Sequence, residues 1–132
     1  MIKRDYSDED DYYTQDFAHE GLVSIWIELA KPEVELDVDA LQEYCGVGYY
    51  SLDNQESNQI GEVVSLKRLL ADISFSASFS SAAIEAARSI GVTSAYWVLV
   101  QFDFAYDPSK VKRTPTTDLV FIGVFPYQSG LA

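Results

Sequence analysis

Residues 95–106, AYWVLVQFDFAY, limit the fold more than any other part of this chain. A run so rich in aromatic and β-branched side chains, with no glycine or proline, suits a strand packed into a core. Trp97, Leu99, Phe102 and Phe104 supply its apolar content, and Gln101 and Asp103 are expected to alternate outward near its end. Two other segments read alike. Residues 22–29 (LVSIWIEL) are almost continuously apolar, as in a strand buried on both faces or centrally placed, and Pro32 stops them. Residues 118–127 (DLVFIGVFPY) form a last strand, in which Gly123 marks a bulge or a close helix–sheet contact. The basic, proline-bounded loop 107–117 (DPSKVKRTPTT) is short enough to join the last two strands as an antiparallel hairpin.

Helical periodicity fills the intervals. Asp37 can cap a helix through Tyr44, with Val38, Leu41, Tyr44 and Cys45 on one face and Gly46 as its stop. Residues 47–59 read as an irregular or short extended piece. Ser65 can cap a helix over 66–73 with Leu66, Leu69, Leu70 and Ile73 as its apolar stripe. After a serine-rich hinge, Ser80 or Ser81 caps a helix over 82–90 that Gly91 ends. Its alanines at 82, 83, 86 and 87 allow close packing on a sheet. Phe75 and Phe79, four apart, are expected on one helical face as core anchors. The order predicts an α+β fold: a small, mostly antiparallel sheet with helices packed on one face. At 132 residues the chain suits one domain, residues 21–132, behind an acidic and mobile arm, residues 1–20.

Charge narrows the function classes. The first 56 residues hold 15 acids and 3 bases, whereas residues 57–132 hold 6 of each, so the whole net charge of −12 sits in the first part. Such a field repels nucleic acid and anionic lipid and attracts a basic protein. The aromatic run at 95–106 lacks the surrounding cations of a base-stacking platform and is expected in the core. The opening residues 1–5 run straight into acid, without the apolar core of a signal peptide, and no apolar run has a membrane helix's length of about 20 residues. One cysteine, Cys45, permits no internal disulfide. A cytoplasmic protein is expected.

The sequence carries few chemically reactive constellations. His19 is the sole histidine and Cys45 has no CxxC partner, so zinc-type spacing is missing. Asp8, Glu9, Asp10 and Asp11 lack the ligand alternation and turn glycine of a calcium loop. Cys45 sits before a helix end, where nothing activates a thiol, and Gly46 and Gly48 give GxG without the rest of a nucleotide fingerprint. No catalytic residue, metal or cofactor is expected.

Four blocks together carry a resemblance: VSIWIEL at 23–29, LQEYCGVGYYSLDNQE at 41–56, SFSASFSSAAIEAARSIGV at 74–92 and VFIGVFPY at 120–127. In order and spacing they resemble the immunity protein 22 family of bacterial polymorphic toxin systems. The likeness spans roughly residues 22–127 and leaves the acidic arm outside. It implies an α+β intracellular antidote that binds a cognate toxin domain and blocks it. It fixes no toxin-contacting residue, so the interface is inferred on physical grounds. Asp8, Glu9, Asp10, Asp11, Asp53 and Glu56 are expected to steer and pair with a basic cleft, such as that of a nuclease. Tyr12, Tyr13, Tyr49 and Tyr50 are expected to anchor the contact. Against this stand plainer roles: solvated surface acids, and for Tyr49 and Tyr50 one ring in the core and one at its rim. The alternative function is an acidic adaptor or regulatory module for another basic protein, and a small enzyme built from scattered carboxylates is a third. An unpaired edge on the aromatic strands would also suit a homodimer.

Overall fold

The computed structural model describes residues 17–29, 47, 50–107 and 120–128. The predicted helix at 37–44, Cys45 and most of the basic loop fall outside them. The fold is α+β. Strand β1 runs Ala18–Glu28, β2 Gln55–Asn58, β3 Val64–Ser65, β4 Ser94–Ala95, β5 Trp97–Phe104 and β6 Val120–Pro126. Helix α1 is Leu66–Ala71 and α2 is Ser80–Ser89. Short 3-10 turns occupy Leu52–Asn54 and Ser76–Ser78.

Four strands make an antiparallel sheet in the order β2-β5-β1-β6, and β3 and β4 make a second small ladder. This corrects the expected hairpin: β6 pairs with β1, not with β5. The near-continuous apolar reading of β1 agrees with its central place between β5 and β6. The strand also starts at Ala18, before the predicted Leu22, so His19 and Glu20 belong to the sheet.

Two layers cover the sheet, and parity sorts the strands between them. Val23, Ile25, Ile27, Val98, Val100 and Phe102 face the helices and pack with Leu66, Leu69, Leu70, Phe79, Ala83 and Ala87. Ala83 and Ala87 are fully buried, as close helix–sheet packing requires. The opposite face carries Trp26, Leu99, Phe104 and Tyr106, covered by Phe17 and Val47 and rimmed by Tyr50, Trp97 and Phe121. Aromatic edges meet there at 5.2 Å between Trp26 and Tyr106 and 4.9 Å between Tyr106 and Phe121. The Trp26 indole N–H has no acceptor among the described residues.

Polar groups on that face are held internally. Ser24 donates to the Phe104 carbonyl at 2.7 Å and accepts from the Tyr106 N–H at 2.9 Å, fixing the chain as it leaves β5. Gln101 does not face outward as alternation predicts; it is 1% exposed and donates to the Ser51 carbonyl at 2.7 Å. Alternation reports which face a residue takes, and the Ser51 segment makes that face an interior.

The local signals for helix ends hold in part. Ser65 caps α1, accepting from the Arg68 N–H at 3.3 Å. Gly91, at φ +83°, closes α2, and the Val92 N–H returns to the Ala87 carbonyl at 2.9 Å. Neither Ser80 nor Ser81 caps α2; the cap position is Phe79, which makes no side-chain capping bond. Gly123 lies at a bulge, where β6 slips against β1 between Ile25 and Trp26. A Cβ there would stand 3.1 Å from the Phe125 ring, so the slip needs glycine.

Candidate interaction surface

Strand directions divide the sheet into two ends. β1 rises from Ala18 to Glu28 while β5, antiparallel, descends from Trp97 to Phe104. β2 starts opposite Gln101, and β6 finishes opposite Leu22. α1 begins at the upper end, where the Leu66 N–H bonds the Thr93 carbonyl, and α2 ends there. The lower end therefore gathers the start of β1, the turn before β2, the turn between the helices, the last residues of β5 and the residue after β6.

Two backbone outliers mark that lower end. Among the described residues only Phe75 (φ 60°) and Asp103 (φ 56°) are non-glycines with positive φ. Left-handed backbone costs an L-residue about 1–2 kcal/mol, less for aspartate, so each must be held by its surroundings. Asp103 sits opposite a bulge: the register steps from Ala18↔Phe104 to Val23↔Phe102, so β1 carries extra residues there. Those residues include Gly21, at φ +85°, whose N–H donates to Asp103 Oδ1 at 3.0 Å. The Tyr127 hydroxyl donates to the same oxygen at 2.6 Å, and the Tyr127 N–H bonds the Gly21 carbonyl at 3.0 Å. One carboxylate thus ties β1, β5 and the end of β6 together. Burial first, then the bond to Asp103 and the charges of Asp103 and Glu20, push the Tyr127 phenol up to about 12.

Phe75 closes the turn between the helices. Its carbonyl accepts from the Ser78 N–H at 3.0 Å and the Ser78 hydroxyl at 2.8 Å. Ser78 Oγ in turn accepts from the Gln128 N–H at 3.0 Å. The Phe75 ring stacks on Tyr127 at 5.9 Å and meets Phe102 edge-on at 5.8 Å, while Phe102 and Tyr127 meet at 4.9 Å. Phe75 nevertheless remains 41% exposed, against 1% for Phe79. This corrects the pairing of the two rings as core anchors: the left-handed turn breaks the helical period between them, and only Phe79 enters the core.

Glu56 comes to the same corner from β2, its Oε1 accepting from the Ser74 N–H at 3.0 Å. The lower end then holds exposed Glu20, Asp53 and Asp72 and half-buried Glu56 and Asp103. No described Lys or Arg lies there; Lys67, Arg68 and Arg88 all sit at the upper end with Glu28, Glu62 and Glu85. Arg88 pairs with Glu85 at 3.0 Å. Asp107 aside, the described charges are polarised, negative below and balanced above.

Of the residues expected to bind a partner, Asp53 and Glu56 reach this surface. Tyr50 packs half-buried against the Trp26 cluster, on the other layer of the sheet. Asp8, Glu9, Asp10, Asp11, Tyr12, Tyr13 and Tyr49 lie outside the described residues. Phe75, Asp103 and Tyr127 join the surface without a sequence signal for it, because their meeting depends on β6 crossing to β1. Among the described residues no group of three His, Cys, Asp or Glu side chains is placed to hold a metal ion, and no helix is long and apolar enough to cross a membrane. Comparison with protein-family models, with curated proteins and with solved structures finds no match.

Proposed function

We propose that this protein is an immunity-type inhibitor that binds a basic toxin domain in the cytoplasm and blocks it without a chemical step of its own. The observation that carries the reading is the charge polarity: five carboxylates with no described cation among them at one end of the sheet. A nuclease cleft must be basic to hold phosphate, and an acidic end can enter it as plug and substrate stand-in. The net charge of −12 extends that attraction beyond contact distance. The blocks that resemble the immunity protein 22 family, above all the mid-chain YCGVGYY at 44–50 and the closing FIGVFPY at 121–127, support the toxin as partner.

The test is binding to the candidate toxin, taken as the product of the adjacent gene, followed against salt. Association is expected to slow steeply between about 50 mM and about 500 mM salt, as the screening length falls from roughly 14 Å to roughly 4 Å. The wild-type chain should also protect cells that express the toxin. No binding to that product, together with tight binding to a different basic protein, replaces the toxin reading with the adaptor reading.

A further inference from the structure

We infer that the corner formed by Phe75, Tyr127, Glu56 and Asp103 is an arginine-receiving site, which takes a side chain projecting from the basic partner. The inference deepens the proposed function and rests on its basic partner. Three observations meet here. First, an exposed ring, Phe75, is stacked on a second, Tyr127, at an interplanar angle of 25°. A guanidinium lies flat on such rings, held by their quadrupole and by dispersion. Second, carboxylates flank the rings. Glu56 is fixed through Ser74, the residue before Phe75, and Asp103 through Tyr127 itself. Each uses one oxygen in those bonds; Glu56 Oε2 and Asp103 Oδ2 have no partner among the described residues. Third, no described cation competes for them, and Glu20 adds its charge to the field at Tyr127.

The chemistry selects arginine over lysine. A planar fork can stack on an aromatic face and donate in its own plane to a carboxylate at the rim, which an ammonium cannot do. Strain fits the same role. A phenylalanine kept at φ 60° and 41% exposed gains little core burial for its left-handed backbone, whereas glycine would hold the turn at lower cost. The ring is displayed.

The experiment uses the full 132-residue chain and a small probe, N-acetyl-arginine methylamide, with the lysine and citrulline analogues as controls. Amide and aromatic NMR shifts are followed during titration. Saturable shifts at Phe75, Tyr127 and Asp103 are expected with the arginine probe, at least about threefold weaker binding with lysine, and none with citrulline. Phe75→Gly, which suits the backbone, and the double variant Glu56→Gln/Asp103→Asn, which keeps the hydrogen-bond acceptors, should each abolish saturation. Shifts confined to other acids, or equal for lysine and arginine, overturn the proposal.

The partner provides the second arm. With the toxin, Phe75→Gly and the double variant should each weaken affinity about tenfold. Unchanged toxin affinity in both variants sinks the arginine site and leaves the immunity reading standing. An arginine probe that saturates the corner, with a wild-type chain that ignores the toxin, does the reverse.

Discussion

The two ends of the sheet are built by different rules. At the upper end, local chemistry agrees with the fold: Ser65 caps α1, Gly91 closes α2, the Leu66 N–H bonds the Thr93 carbonyl and Arg88 faces Glu85. At the lower end the rules are broken. Two non-glycines take left-handed backbone, a large ring is left exposed, and five carboxylates gather without a described cation. Local and global preferences coincide at the upper end and conflict at the lower. The lesson is that the serine-rich stretch 74–81 serves core and surface at once, since Phe79 enters the core and Phe75, four residues earlier, stays 41% exposed.

The sharpest way to break this contrast is to truncate those two rings in turn. Phe79→Ala should cost about 3–5 kcal/mol, as for other fully buried aromatics, in urea or thermal unfolding. Phe75→Gly should stay within about 1 kcal/mol, because relief of the left-handed backbone offsets the lost half-exposed contacts. Equal costs would mean that Phe75 is a core residue after all.

Next in size is the effect of charge on association with a basic partner. Neutralising Glu20, Glu56 and Asp103 to their amides should slow association at low salt about tenfold, whereas the same change at Glu28, Glu62 and Glu85 should slow it less than about twofold. Stopped-flow rates compare the two triples at equal net charge. At the upper end, Ser65→Ala should lower stability by about 1 kcal/mol through loss of the cap and leave association unaffected.

The last effect concerns Tyr127 and appears only at alkaline pH. Its folded phenol is raised from an ordinary value of about 10 to about 12, so the neutral form is favoured in the fold. The unfolded chain loses that proton first. The stabilisation is therefore complete below about pH 10 and is lost as pH rises toward about 12. Tyr127→Phe should remove that part of the alkaline loss, read as a smaller fall in unfolding free energy between those two pH values.

Much of this architecture is legible in the sequence wherever its cause is local. The apolar runs locate β1, β5 and β6, the leucine stripe locates α1, and Ser65, Gly91 and Gly123 mark a cap, a stop and a bulge. What escapes is long-range. A short loop between two strands suggests a hairpin, yet β1 takes the place beside β5 and sends β6 to its far side. Gln101 reads as outward because alternation cannot tell which segment will cover a face. For the candidate site, Asp53 and Glu56 are visible as acids, but the rings and Asp103 that complete it are brought together by that crossover and by one left-handed residue at Phe75.

The measurement that bears most directly on the polarity needs no partner. Paramagnetic broadening of each backbone amide by a cationic and by an anionic nitroxide reports the local potential residue by residue. The amides of Glu20, Gly21, Glu56, Phe75, Asp103 and Gln128 should show the largest excess of cation over anion, and those of Lys67, Arg68 and Arg88 the smallest. An excess spread evenly over both groups would contradict the account.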